Sequence, residues 1–435
     1  VIERESGTDS DEVALPLQIA PVGPPVGLRV VVVQTIPRIN AEVTVLHTLL
    51  SALDRGCTPH HVQVLLLQGV DDWHPGGDQA AEAFAEFECV RVERFQIGGL
   101  GRDAGSRAAQ ARKVVDLGRL GIVQRRLLRV VQQFEPHLLY SAQQRWDQRL
   151  AVRLAGLTGL PRVVHLHYTV GPWLGPGSVQ ALLTADKVLA VSDFIRQDAI
   201  AAGVAADRVH TVHNPVPSAA ADGAVGDRTG WRDELGIPVD ARVVGMVGRI
   251  CESKCQSELL AAVLPLLQGD KSVHLVLAGA EYPPGNGATE LLRHRAAQAG
   301  VESQLHLLGH RADVPAVLDG LDVFAHPSRS EPFALAILEA MARGLPVVAW
   351  HEGGTIEQVL NQETGILVPP MDIHALTRAI EDLLADPLRR KDMGDAGRER
   401  VRTAFGTDVA ARTFVEELTA VAKSPERARE PLGPS

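Results

Sequence analysis

Residues 326–350, HPSRSEPFALAILEAMARGLPVVAW, set two carboxylates, Glu331 and Glu339, eight positions apart around the start of an otherwise apolar helical stretch. Pro332 suits a first helical turn, where a missing N–H costs nothing, and Gly344 with Pro346 closes the helix before the β-branched pair Val347-Val348. The local order is strand, loop, helix, strand. At about 1.5 Å of rise per residue the two carboxylates can stand about 12 Å apart, Glu331 at the mouth of a cleft and Glu339 inside it. They can then touch separate hydroxyl-bearing parts of one extended ligand. The helix N-terminus between them offers unpaired N–H donors and a positive dipole end, which suit an anion. The rival reading has two helix glutamates that cap, or pair with arginines.

The same alternation extends outward through the chain. Apolar, β-prone runs at 28–34, 62–68, 137–141, 162–168, 187–192 and 209–213 are separated by helical stretches, the first near 42–54. A second series at 242–248, 273–279, 305–308, 322–326, 346–350 and 365–368 follows a looser segment, Ser218 to Gly230. Short buried strands alternating with helices predict an α/β fold of parallel sheets covered on both faces. The expected organisation is a flexible leader over 1–26, a Rossmann-like domain over 27–217, a linker over 218–232 and a second Rossmann-like domain over 233–404. A helix over 405–423 and a frayed tail over 424–435 complete it. Ligands bind outside the carboxyl ends of such strands, so the cleft between the domains is the expected site.

A chain of 435 residues is too long for one ordinary core, which agrees with two domains. With 45% hydrophobic and 22% charged residues it has the make-up of a globular enzyme rather than of a disordered or fibrous chain. No apolar run reaches the roughly 18 residues of a membrane span and no signal-peptide pattern opens the sequence, so a cytoplasmic setting is expected. The net charge of −10 argues against a nucleic-acid binder. Four cysteines do not make a disulfide scaffold. Cys251 and Cys255 could share a helix face, but no second Cys or His pair follows at zinc-site spacing, which argues against a metal. Residues 107–131 carry Arg107, Arg112, Lys113, Arg119, Arg125, Arg126 and Arg129 against Asp116, interleaved with Val, Leu and Ile. A surface helix packed on the first sheet is the preferred reading, and docking on anionic lipid the other.

Ser328, Glu331, Phe333, Leu335, Glu339, Ala340, Met341, Gly344 and Pro346 together resemble the signature of retaining glycosyltransferases of family 4, in which two facing Rossmann-like domains form the GT-B fold. The resemblance implies that Glu331 contacts the donor sugar and Glu339 holds the ribose hydroxyls. It also implies that the amides of Phe333, Ala334 and Leu335 receive sugar and phosphate oxygens, with Ser328 beside them. Val243 to Ile250 followed by Glu252, Ser253 and Lys254 resembles the family's strand, Gly-Arg and Lys, and so assigns Arg249 and Lys254 to the donor diphosphate. A planar fork and a point charge suit that task. The rival reading is a surface arginine and lysine near a helix start. Cys255 stands where the family usually has Gly.

In Arg162 to Tyr168 the alternation puts His165 and His167 on one side of a strand, without carboxylate or cysteine company that would favour a metal. By resemblance His167 is the histidine beside the donor sugar, a neutral donor or transient acid. His165 reads as a satisfied core residue. His310, after Gly309, matches the place where the base is bracketed. Ser192-Asp193, Asn214-Pro215-Val216 and Gly353-Gly354-Thr355 with Glu357 resemble further positions that line the cleft. In the family the last helix crosses back onto the first domain, which is the expectation for 405–423.

The first strand-to-helix turn departs from the resemblance. It reads Pro37-Arg38-Ile39-Asn40-Ala41-Glu42 where relatives carry Gly-Gly, and side chains crowd the approach of backbone amides to a diphosphate or acceptor. Either Arg38 or Asn40 replaces the backbone contact, or the turn makes room for an unusual acceptor, or the chain is catalytically silent. Ala334, where Gly is frequent, is a milder departure. The resemblance implies a metal-independent, retaining glycosyltransferase without a cofactor. It moves a sugar from a nucleoside-diphosphate sugar to a small-molecule acceptor such as a natural product. Asp9-Ser10-Asp11 has the Asp-x-Asp spacing of metal-dependent transferases of another fold, but no strand precedes it. Rival functions are a nucleotide-sugar epimerase, a sugar phosphorylase, or a silent glycosyltransferase-like partner protein.

Overall fold

The computed structural model describes residues 27–58, 60–70, 78–96, 123–142, 144–216 and 230–423. The expected leader and tail, Asp9-Ser10-Asp11, residues 218–229 of the expected linker and residues 107–122 of the basic stretch lie outside them. Two parallel sheets organise the rest. The first contains β1 (Leu28–Gln34), β2 (Val62–Val70), β3 (Val90–Gln96), β4 (Leu138–Ala142), β5 (Arg162–Leu166), β6 (Lys187–Ala190) and β7 (Val209–Thr211), in the order β3-β2-β1-β4-β5-β6-β7. The second contains β8 (Arg242–Val247), β9 (Val273–Ala278), β10 (Leu305–Gly309), β11 (Val323–His326), β12 (Val347–Trp350) and β13 (Gly365–Val368), in the order β10-β9-β8-β11-β12-β13. Strand order reverses between β1 and β4 in one sheet and between β8 and β11 in the other. At each reversal the flanking connections diverge and leave a crevice at the carboxyl ends.

The central strands are apolar on both faces because helices cover both. Val31 and Val33 pack with Leu65, Leu127, Val131 and Leu154, while Val30 and Val32 pack with Val43, Leu46, Leu49 and Phe414. Each such side chain contributes about 1.5–3 kcal/mol of burial. The described end of the basic stretch, a helix over 123–134, therefore spends its apolar face on the sheet through Leu127 and Val131. β3 is a strand that the sequence reading missed. Its VRVERFQ places charges on an edge strand, so it lacks the continuous apolar run of its neighbours.

Local chemistry sets the helix boundaries. Asn40 caps the helix Ala41–Asp54, its side-chain oxygen accepting from the Val43 N–H at 2.9 Å. The helix after β11 runs over Leu335–Ala342, so Pro332 precedes it by three residues instead of opening it. A loop from beyond β12 is responsible: the Gly354 N–H donates to the Glu331 carbonyl at 2.8 Å. A Cβ on Gly354 would lie 1.9 Å from the Pro332 carbonyl oxygen, so only glycine allows this approach.

Residues 230–232, placed by the sequence in the linker, instead begin the helix Gly230–Glu234. Trp231 is buried there and donates to the Ala316 carbonyl at 2.9 Å. The final stretch forms three helices, Ile373–Ala385, Pro387–Ala404 and Thr407–Lys423. The last lies on the first domain, with Phe414 edge-on to Tyr140 at 5.4 Å between ring centroids and Glu417 paired with Lys187.

Candidate active site

The C-terminal wall of the cleft is built where β8 and β11 end. After β8 the chain turns through Gly248 and exposes Arg249, whose guanidinium lies over the Tyr282 ring at 4.5 Å. Buried Gln256 shapes this loop, donating to the Arg249 carbonyl at 2.8 Å and accepting from the Cys251 N–H at 3.3 Å. Cys255 takes φ 57° and ψ 38°, the left-handed backbone that glycine adopts freely, so the loop keeps its course at a cost of about 1–3 kcal/mol. Lys254 on this loop pairs with Glu331, which also lies 3.4 Å from the His326 ring nitrogen. Burial pushes the Glu331 carboxyl up, but the Lys254 ammonium and then His326 outweigh it and hold the group well below the usual carboxylate range. About one turn into the following helix, Glu339 has no such help, and burial pushes it up to about 7.

The other sequence-predicted donor residues differ in how far their polar groups are already engaged within the protein. The Ala334 N–H is already committed, donating to the Gln358 side-chain oxygen at 3.1 Å, while Gln358 returns a bond to the Ala334 carbonyl at 2.8 Å. Gln358 escaped the sequence reading because its partner is 24 residues away. Phe333 is buried, stacked on His213 at 5.0 Å, and its carbonyl accepts from Asn214 at 3.5 Å. Its ring thus belongs to the core and its carbonyl meets the first domain, and Leu335 follows as the first helical residue. Ser328 is 2% exposed, and its hydroxyl has no partner among the described residues. His310, matched to the place where the base is bracketed, stands exposed just beyond the edge strand β10.

The N-terminal wall is built where β1, β4 and β5 end. His167 lies just beyond β5, 4.4 Å from His165 between ring centroids, and burial lowers its pKa to about 3. Burial thus favours the neutral imidazole, which can hydrogen-bond a ligand. His165 has its Nδ1 against the Tyr140 hydroxyl at 2.8 Å and its ring stacked on Phe414 at 6.4 Å, in keeping with a core histidine. At the first turn Asn40 is spent as a helix cap, and Arg38 is exposed.

The sequence reading gave no role to the neighbouring Glu42, which is 2% exposed, and burial pushes its carboxyl up to about 7. Tyr168 joins the two walls electrostatically. Burial raises its phenol to about 12, and Glu42, Arg249, Glu331 and Tyr282 all act on it. A second link is mechanical: Glu357, near the Gly353-Gly354 loop, accepts from the Asp193 and Phe194 amides at 2.8 and 3.0 Å and meets the His213 ring at 2.9 Å.

Among the described residues no group of three or more His, Cys, Asp or Glu side chains is placed to hold a metal ion, and no helix is long and apolar enough to cross a membrane. All four cysteines are free.

Two facing parallel α/β domains, with cationic and carboxylate groups gathered at the strand-order reversals, define a GT-B protein. The pattern described as "Glycosyl transferases group 1" matches residues 227–400, and that of "Glycosyltransferase Family 4" matches 43–219. The D-inositol 3-phosphate glycosyltransferase of Corynebacterium glutamicum is 36% identical over 185 residues, 42% of this chain and 44% of the relative. The alpha-maltose-1-phosphate synthase of Mycolicibacterium smegmatis is 33% identical over 303 residues, 60% of this chain and 73% of the relative. Among solved structures, HepE of Anabaena in complex with UDP-glucose superposes with a TM-score of 0.71 at 21% identity, covering 90% of this chain and 100% of that one. The chain belongs to the family 4, group 1 glycosyltransferases. The match to the Corynebacterium relative spans less than half of that protein.

Proposed function

We propose that this protein transfers a sugar from a nucleoside-diphosphate sugar to an acceptor hydroxyl, with retention at the anomeric carbon and without a metal. The observation that carries the reading is the pairing of Lys254 with Glu331 beside exposed Arg249, at the β8/β11 reversal and electrostatically coupled to Tyr168 opposite. A diphosphate entering this corner meets a guanidinium and an ammonium. As the glycosidic bond breaks, negative charge grows on the departing nucleoside diphosphate, so both cations stabilise the transition state more than the ground state. Glu331, held ionised, accepts from sugar hydroxyls, and Glu339 accepts from the ribose diol. The amides of Phe333 and Leu335 remain as donors to the ligand, and neutral His167 bonds a sugar hydroxyl.

In the retaining course the acceptor oxygen attacks from the side on which the diphosphate leaves. The bond from the anomeric carbon to phosphate oxygen breaks, the bond to acceptor oxygen forms, and the acceptor proton passes to a phosphate oxygen. The N-terminal domain then holds the acceptor and the C-terminal domain the donor. The UDP-glucose complex of HepE supports UDP as the first nucleotide to try, and the name of the Corynebacterium relative puts inositol 3-phosphate among the acceptors to test.

Thermal unfolding against UDP, GDP, ADP and dTDP, with and without magnesium, tests the donor half. One nucleotide should raise the midpoint by several degrees without magnesium, since ligand at 100 times its Kd adds about 2.7 kcal/mol. No shift with any of them overturns donor binding and turns attention to the silent-partner reading.

A further inference from the structure

The two cations assigned to the diphosphate are held in different ways. Lys254 is paired with Glu331, so an arriving phosphate must draw it off a carboxylate. Arg249 is exposed, and its guanidinium pairs with no carboxylate among the described residues. It rests on a ring instead, with its central carbon 4.5 Å from the Tyr282 centroid. A carboxylate partner would occupy the N–H edge that a phosphate needs. A π face attracts the cation without accepting a conventional hydrogen bond, and so leaves the in-plane donors for phosphate oxygens.

Tyr282 owes its place to its backbone. The chain leaving β9 runs beside the chain leaving β8 and is laced to it on either side of Arg249. The Gly248 N–H donates to the Ala278 carbonyl at 2.9 Å, the Ile250 N–H to the Ala280 carbonyl at 2.8 Å, and the Tyr282 N–H back to the Ile250 carbonyl at 3.0 Å. The approach depends on Gly279, where a Cβ would stand 1.8 Å from the Gly248 carbonyl oxygen. The Tyr282 carbonyl accepts from the Asn286 side chain at 3.0 Å, as Gln256 holds the Arg249 carbonyl from the other side. Two laced loops thus carry the guanidinium and the ring into the cleft together, where Tyr168 of the opposite domain feels both.

Core packing does not account for an aromatic residue here. The Tyr282 ring is 54% exposed and lies outside the hydrophobic clusters of the described residues. A long side chain on a bare loop loses rotamer freedom when a ligand orders it, and an arginine already laid over a ring has given up part of that freedom beforehand.

We infer that Tyr282 is a positioning residue for the diphosphate: its ring holds the Arg249 guanidinium at the cleft with the N–H edge free, and does not itself touch the nucleotide. The inference rests on the glycosyl-transfer reading, in which Arg249 meets the diphosphate, and adds a residue outside the Gly-Arg and Lys pattern that carried the resemblance.

The test is a double-mutant cycle on affinity, measured by titration calorimetry with UDP, or with whichever of GDP, ADP and dTDP raises the unfolding midpoint in its place. Tyr282→Ala should weaken the nucleoside diphosphate about fivefold, in the range of a lost cation–π contact. In an Arg249→Ala background the same substitution should change affinity less than about 1.5-fold, because the ring then has nothing to hold. Tyr282→Phe keeps the π face and should restore affinity to within about twofold of the unmodified protein. Tyr282→Leu keeps apolar bulk without that face and should not. The Phe and Leu pair carries the comparison alone if the alanine variant does not fold.

An equal loss from Tyr282→Ala with and without Arg249 overturns the inference, since the ring then contacts the nucleotide directly. So does unchanged affinity in a folded Tyr282→Ala, or Leu serving as well as Phe. Failure of the underlying reading looks different: the unmodified protein binds none of the four nucleotides, or Arg249→Ala binds as tightly as the unmodified protein, and the inference falls with it.

Discussion

Glu331 and Glu339 share one loop-helix unit and experience opposite electrostatics. Glu331 has a cation against it and stays ionised, so its contribution to stability is present above its ordinary value of 4.5 and is lost as pH falls. Glu339 is desolvated without a counter-charge, so near pH 7 it is about half protonated. Its linkage has the opposite sign: the stabilising contribution of the neutral form is present below 4.5 and is lost as pH rises through about 7. Binding a ribose diol favours the carboxylate, which accepts from both hydroxyls. Nucleotide affinity should therefore rise about tenfold between pH 6 and pH 8, following the ionised fraction of a group with pKa near 7. Glu339→Gln should bind more weakly and lose that slope, and titration calorimetry at the two pH values measures both. A flat profile in the unmodified protein removes Glu339 from the ribose.

The residues of this unit were legible because their spacing survives in one continuous stretch. Glu42 was not, since an acid in a first helical turn is ordinary. What sets it apart is burial beside Gln144, 102 positions away.

At the scale of elements, sequence periodicity located twelve of the thirteen strands among the described residues, because parallel strands buried on both faces are continuous apolar runs. The exception, β3, lies at an edge where one side of the ladder is unpaired and charges are tolerated. Boundaries were less legible where a distant loop decides them. Pro332 has the chemistry of a helix start, yet the Gly353-Gly354 loop clamps the Glu331 and Pro332 carbonyls and delays the helix to Leu335. Gly354→Ala places a methyl group 1.9 Å from a carbonyl oxygen, so the loop must move. The expected cost is about 1–3 kcal/mol by denaturant unfolding, together with weakened binding of the sugar nucleotide, because Glu331 moves with the loop. Unchanged sugar-nucleotide affinity in a destabilised variant would show that the clamp serves folding alone.

For the whole molecule, the helix Thr407–Lys423 ties the end of the chain to the domain that began it. Phe414 is 2% exposed against Tyr140 and His165, so Phe414→Ala should cost about 3–5 kcal/mol. Because that ring belongs to the first domain's core, the loss should appear in the unfolding of that domain, read by hydrogen exchange in β1 and β4, with β8 and β11 protected as before. Simultaneous loss in both sheets would show instead that the two halves unfold as one unit.

The Glu357 clasp carries a geometric consequence. Its three bonds across the halves, and the Val216 N–H bonded to the Phe405 carbonyl at 2.9 Å, lie together on one margin of the molecule. That margin acts as the spine of a book. When the halves swing, points beside the spine scarcely travel and points far from it sweep the longest arcs. Phe333, stacked on His213 at the spine, keeps its place on the page, whereas the gap between groups on opposite pages is set by how far the book is open.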